Sequence, residues 1–291
     1  MITMVLSDIV GDPLSFIASG PTVPNDEKCT CQDAWNIIST YNIQHQLPPN
    51  VIAMIQQGLD SEEENDAPTV SHSIFTQHIR NGNHDNPKLA ETILVGNNEK
   101  AVLSCAQKAK SLGYYTVILG TTIEGEAKDV AGVYTAMARQ SQCHENTTYG
   151  ITPKLPAAFI AGGETTVSLP ANHDLEKRGG RNQELGLVAA CNLSKMKLRN
   201  VVVASVGTDG TDGPTDAAGA IVDGRTIARI EQRNGGKVLG DVAIREHDAY
   251  TFLGSEHHDG DEDEDYVSAL VRTGPTGTNV ADIAVILVRS K

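Results

Sequence analysis

Cysteine, basic charge and long apolar runs are all scarce in this chain of 291 residues. No apolar stretch approaches the ~18 consecutive residues of a membrane-spanning helix, so the sequence holds no helical membrane anchor. Five cysteines (Cys29, Cys31, Cys105, Cys143 and Cys191) form an odd, scattered set. They make no disulfide framework and read as reduced thiols in an intracellular compartment. Lys and Arg number 23 against 37 Asp and Glu, a formal charge of −14, which argues against a nucleic-acid partner. The apolar start Met1-Ile2-Thr3-Met4-Val5-Leu6 lacks a basic leader and meets Asp8 at once, so it reads as a strand, not a signal peptide. Also missing are the Gly-x-x-x-x-Gly-Lys-Ser/Thr phosphate loop, a Gly-x-Gly-x-x-Gly fingerprint after a strand, the His-Glu-x-x-His metal motif and the Gly-x-Ser-x-Gly elbow.

The negative charge is concentrated. Asp60 to Asp66 holds five acids and Asp259 to Asp265 six, and without them the balance is −3. Both runs read as solvated loops, since like charges repel and nothing apolar pins them. Short β-branched runs at Met4-Val5-Leu6, Thr92 to Val95, Thr116 to Leu119, Ala157 to Ala161, Val201 to Val206 and Ile283 to Val288 predict buried strands. Helical stripes separate them: Ala101 to Leu112, Ala127 to Ala138, and a third after Arg181 with Leu185, Val188 and Ala189 on one face. The pattern predicts α/β architecture, two α/β units with mainly parallel sheets covered on both faces. The boundary is placed in the polar stretch from Gln140 to Pro156, giving units 1–150 and 151–291. The polar segment Leu59 to Asn86 reads as an insertion.

The chemistry concentrates at strand-to-loop junctions. Gly207 to Gly219 follows the Val201 strand and holds Asp209, Asp212 and Asp216 among four glycines and three threonines. Open α/β sheets bind ligands at such carboxyl ends, and hard oxygens at this density suit Mg²⁺. Lys177-Arg178-Gly179-Gly180-Arg181-Asn182-Gln183-Glu184 is a basic knot where a helix begins, a place for an anion. Gly162-Gly163-Glu164-Thr165-Thr166, Thr273 to Asn279 (with Thr276) and Ser7-Asp8 through Thr22 add further Gly, Thr and Asp. Together they describe a polar cleft for a small, oxygenated, anionic ligand with a cation.

These motifs, in this order across almost the whole chain, resemble the C-terminal part of the class II glycerate kinases, whose C-terminal region is the MOFRL domain. The matching stretches include Leu6-Ser7-Asp8-Ile9-Val10-Gly11-Asp12-Pro13, Val95-Gly96-Asn97-Asn98, Gly179-Gly180-Arg181-Asn182-Gln183-Glu184-Leu185 and Gly207 to Gly219. The resemblance implies ATP-dependent phosphorylation of D-glycerate, giving 2-phosphoglycerate. Residues 1–150 would then be the end of the Rossmann-like N-terminal domain and 151–291 the MOFRL domain. In that setting Asp209 and Asp212 are expected to hold Mg²⁺ and Asp216 to orient their loop. Arg181 is expected on the glycerate carboxylate or the γ-phosphate, helped by Gly179 and Gly180. Glu164, Asn182, Glu184 and Asn279 would hydrogen-bond the substrate or brace its contacts, with Gly163 and Thr276 in the same loops. Asp8 is the candidate base. The family pattern also has an earlier segment with a Gly-rich loop and a lysine. The sequence therefore reads as an N-terminally truncated form with an uncovered sheet edge, which leaves open a non-catalytic anion-binding protein. A hydroxypyruvate reductase, a name some bacterial relatives carry, is the third reading. A cytoplasmic location is expected, or a mitochondrial one with a leader, and a homo-oligomer stays open.

Overall fold

The computed structural model describes residues 2–20, 22–23, 30–60, 91–142, 153–233, 235, 239–255 and 268–290. Both acidic runs beyond Asp60, the expected insertion up to Asn86, Cys29 and Cys143 lie outside the described residues. The chain divides into two compact units, one of residues 1–4 and 13–93, the other of residues 5–12 and 94–291.

Within the first unit, α1 (Cys31–Thr40) packs on α2 (Pro49–Asp60). Thr30 starts α1 with a capping box: its hydroxyl accepts the Asp33 N–H, and the Asp33 carboxylate accepts the Thr30 N–H. The helices approach closely at Gly58, where a Cβ would strike Cys31 Sγ. Strands β1 (Ile2–Leu6) and β2 (Glu91–Gly96) form a two-stranded sheet.

The second unit is built on a six-stranded sheet in the order β3-β4-β8-β5-β6-β7. Its strands are β3 (Tyr115–Ile123), β4 (Ala157–Gly163), β5 (Val201–Gly207), β6 (Gly219–Asp223), β7 (Leu270–Val271) and β8 (Asp282–Val288). Alternation along β4 explains its unbroken apolar run. Ala157, Phe159 and Ala161 enter one core cluster, while Ala158 and Ile160 enter another on the opposite face. The smaller cluster lies under α3 (Asn98–Ser111), through Val102, Ala106 and Ala109. The larger is covered by α4 (Ala127–Ser141) and α5 (Arg181–Lys195). Three short helices add to it: α6 (Thr226–Arg233), α7 (Gly240–Arg245) and α8 (Ala249–Gly254).

The α/β class expected from sequence is present, with mixed pairing in place of mainly parallel neighbours. Among the strand pairs of the six-stranded sheet, only β3 and β4 are parallel; β8 runs antiparallel between β4 and β5, and β6 is antiparallel to both its neighbours. Apolar runs bury two faces whichever way their neighbours point, so the pattern that identified the strands carried no information on direction. The 150/151 boundary also differs from the observed division. Because β3 pairs with β4 across that point, residues 94–291 fall within one unit.

Candidate active site

The insertion of β8 creates the site. Its antiparallel direction brings its first residue, Asp282, to the rim where β4 and β5 end, in register with Gly163 on one side and Gly207 on the other. Arg181, the first residue of α5, meets it there. Nε lies 2.6 Å from Asp282 Oδ2 and Nη2 lies 3.0 Å from Oδ1, a bidentate fork. Nη1 contacts Glu164 Oε1 at 3.0 Å, just beyond the end of β4. The hydrogen bonds that Arg181 donates to Asp282, with the charges of Asp282, Glu164 and Asp212, outweigh burial and raise the guanidinium pKa further. Arg181 is a permanent cation held by two carboxylates.

The loop after β5 closes on the start of α5. Gly180 precedes the helix with extended backbone and offers no capping side chain. Asp212 supplies the cap from across the loop: Asn182 N donates to its Oδ1 at 3.2 Å and Gln183 N to its Oδ2 at 2.9 Å. Asn182 Nδ2 also donates to Asp212, and the Ser205 hydroxyl donates to Asn182 Oδ1 at 2.6 Å. Gln183 Nε2 donates to the Asp212 carbonyl and the Thr215 hydroxyl, both at 2.9 Å. A Cβ on Gly180 would collide with the Asp212 carboxylate, so glycine is required for this approach. Burial pushes the Asp212 carboxyl up to about 6 against these hydrogen bonds.

Two sequence-based expectations change here. The helix N-terminus expected to receive a substrate anion beside Gly179 and Gly180 is already occupied by Asp212. Nor do Asp209 and Asp212 fit a Mg²⁺ cage. Both oxygens of Asp212 receive helix N–H groups, and those of Asp209 receive the Thr211 N–H at 2.9 Å and the Thr211 hydroxyl at 3.0 Å. Among the described residues no group of three or more His, Cys, Asp or Glu could hold a metal ion.

Arg181 and Glu164 border two cavities, both within the second unit. The larger, about 670 Å³, is also lined by Gly179, Gly180, Glu184, Asp212, Lys177 and His247, with an apolar wall that includes Val167 and Leu169. Glu184 is buried there with Oε2 2.8 Å from His247 Nδ1. Lys177 is paired with Glu246 at 3.0 Å and Asp248 at 3.3 Å. The smaller, about 410 Å³, holds Asp8 and Asn279. Asn279 Nδ2 donates to Asp8 Oδ2 at 3.0 Å.

The remaining expected residues have bracing positions. Gly163 and Asn182 sit in a narrow crevice behind Arg181 with Ser205 and Asp282. Thr276 donates to the Thr208 carbonyl at 2.6 Å, and its N–H donates to the Asp209 carbonyl at 3.0 Å, tying the two loops together. Asp216 borders neither cavity. It accepts from Tyr250 Oη at 2.8 Å and Arg272 Nε at 3.1 Å. Sequence reasoning missed Asp282 and His247. A carboxylate opening an apolar strand was the available signal for Asp282; His247 lay in a polar stretch with none.

Residues 157–282 match the MOFRL family, and residues 1–56 match a domain of unknown function, DUF4147. The chain carries MOFRL and DUF4147 domains. The MOFRL stretch holds β4, α5, the Asp212 loop and Asp282, the parts that build the rim. A Pyrococcus horikoshii protein named glycerate 2-kinase is 33% identical over 290 residues, covering 100% of this chain and 56% of its own length. The crystal structure of a glycerate kinase from Thermotoga maritima superposes with a TM-score of 0.72 at 32% identity, covering 99% of this chain and 56% of that one. A relative from Agrobacterium vitis with a hydroxypyruvate reductase name is 35% identical, over 99% of this chain and 62% of its own. The chain thus spans little more than half the length of these relatives. The family resemblance carried by the motifs is borne out. Among the described residues no helix is long and apolar enough to cross a membrane.

Proposed function

We propose that this chain carries the phosphoryl-transfer site of a glycerate kinase, with D-glycerate and ATP as substrates and 2-phosphoglycerate and ADP as products. The observation that carries the reading is the guanidinium of Arg181, fixed by Asp282 where two cavities meet. Phosphoryl transfer asks the protein for in-line positioning and for fixed positive charge near the transferring group. Arg181 supplies that charge. The larger cavity, with its apolar wall and Lys177, suits a nucleotide, and the smaller, with Asp8 and Asn279, suits a small polyhydroxy acid. In the transfer the substrate hydroxyl oxygen attacks the γ-phosphorus and the bond to the β-phosphate oxygen breaks. The hydroxyl proton passes to Asp8, which Asn279 orients. No step is routed through Mg²⁺, because Asp209 and Asp212 do not form its cage.

The names glycerate 2-kinase and D-glycerate 2-kinase on relatives at 33% identity support the substrate and the position phosphorylated. The hydroxypyruvate reductase name favours a second reading, which the absent nicotinamide fingerprint opposes. A coupled assay of ADP release with D-glycerate and ATP is expected to show turnover. Nicotinamide oxidation with hydroxypyruvate in place of ADP release would overturn the kinase reading. D-glycerate binding in calorimetry without ADP release would instead make the chain an anion-binding protein.

A further inference from the structure

The two carboxylates on Arg181 are unequal. Asp282 grips it through two hydrogen bonds with a side chain only 10% exposed, whereas Glu164 makes one contact at 3.0 Å with a side chain 43% exposed. Glu164 and Arg181 both line the larger and the smaller cavity, together with Val10 and Glu124. The ion pair therefore lies where the two cavities share their lining. We infer that Glu164 is an exchangeable counter-ion: a ligand carboxylate or phosphate takes its place on Arg181 Nη1.

The electrostatics favour such an exchange. An anion approaching Arg181 meets the negative charges of Glu164, Asp212 and Asp282, and Lys177 in the larger cavity is already paired with Glu246 and Asp248, so addition of a further anion without exchange is opposed. Asp282 cannot leave without stranding a buried carboxylate. Glu164 can, because solvent already reaches it, and an exposed ion pair of this kind is worth no more than about fivefold in an equilibrium constant. Glu164 thereby acts as a positioning residue. It holds Arg181 in the empty site and yields it to a ligand. This inference rests on the kinase reading for the identity of the two ligands, though not for the exchange itself.

The test is calorimetric titration of wild type and Glu164→Gln with two probes, D-glycerate and inorganic pyrophosphate. Exchange predicts tighter binding of both by Glu164→Gln, about two- to fivefold, since a competitor has been removed. Damage to a structural contact would not raise affinity. Asp282→Asn is expected to bind both probes more weakly. Should Glu164→Gln fail to fold, Glu164→Asp withdraws the same carboxylate by one methylene and carries the same expectation. Unchanged or weaker binding of both probes in the folded variant, or pyrophosphate binding to neither protein, overturns the exchange. Tighter pyrophosphate binding with no D-glycerate binding to either protein upholds the exchange and sinks the glycerate reading. Measurable D-glycerate binding with affinities for both probes equal in the two proteins does the reverse.

Discussion

Asp212 is the residue whose chemistry the fold alters most directly. Its carboxylate completes the first turn of α5, yet burial raises its pKa to about 6, so its neutral form is favoured in the folded protein relative to the unfolded chain. A raised carboxyl pKa contributes stability that is fully present below the unfolded value near 3.9. That contribution declines as pH rises through the folded value. The unfolding free energy of wild type minus that of Asp212→Asn should therefore fall by about 2 kcal/mol between pH 4 and pH 7. Urea denaturation across that range measures it, and a flat or rising difference would contradict the role given to burial. The same residue shows where sequence reading stopped. An aspartate in a Gly- and Thr-rich loop after a strand was legible as part of the site. Its engagement with N–H groups 29 and 30 residues earlier depended on a loop path that no local pattern encodes.

At the scale of elements, α5 carries the second unit. From Asn182 to Cys191 every residue is buried, although Asn182, Gln183 and Glu184 are polar. Each finds a partner: Ser205 and Asp212 for Asn182, the Asp212 carbonyl and Thr215 for Gln183, and His247 for Glu184. The apolar stripe through Leu185, Val188 and Ala189 was visible in the sequence. The burial of the opposite side was not, because polar residues read as a solvent face until their partners are known. Leu187, fully buried in the larger core cluster, was outside that stripe. Replacing it with alanine is expected to cost about 2–5 kcal/mol of unfolding free energy in urea denaturation. A loss below about 1 kcal/mol would show that α5 is less closely packed than its burial indicates. The strands were legible for the reverse reason, since β-branched runs bounded by turns survive any arrangement. The position of β8 was set by long-range pairing, and with it went the location of Asp282.

For the whole molecule, strands β3, β4, β5 and β8 and helices α3, α4 and α5 followed from periodicity, while β6, β7, the three short helices α6 to α8 and the division between units did not. Polar turn residues near Gln140 suggested a boundary, but the sheet continues across it. The side chains of Ile2, Met4, Leu6, Ile93 and Val95 on strands β1 and β2 are exposed. The site itself belongs to one unit: residues 5–12 and 94–291 contribute Asp8, Glu164, Arg181, Asn279 and Asp282. Its central claim is that the Arg181 guanidinium, held at the rim by Asp282, stabilises a phosphoryl group in transfer. The most direct measurement is D-glycerate-dependent ADP release by Arg181→Ala beside wild type, with circular dichroism confirming that the variant is folded. The account predicts turnover lower by about 10²–10³-fold, as for loss of a preorganised transition-state contact. Turnover within about fivefold of wild type in the folded variant would contradict it.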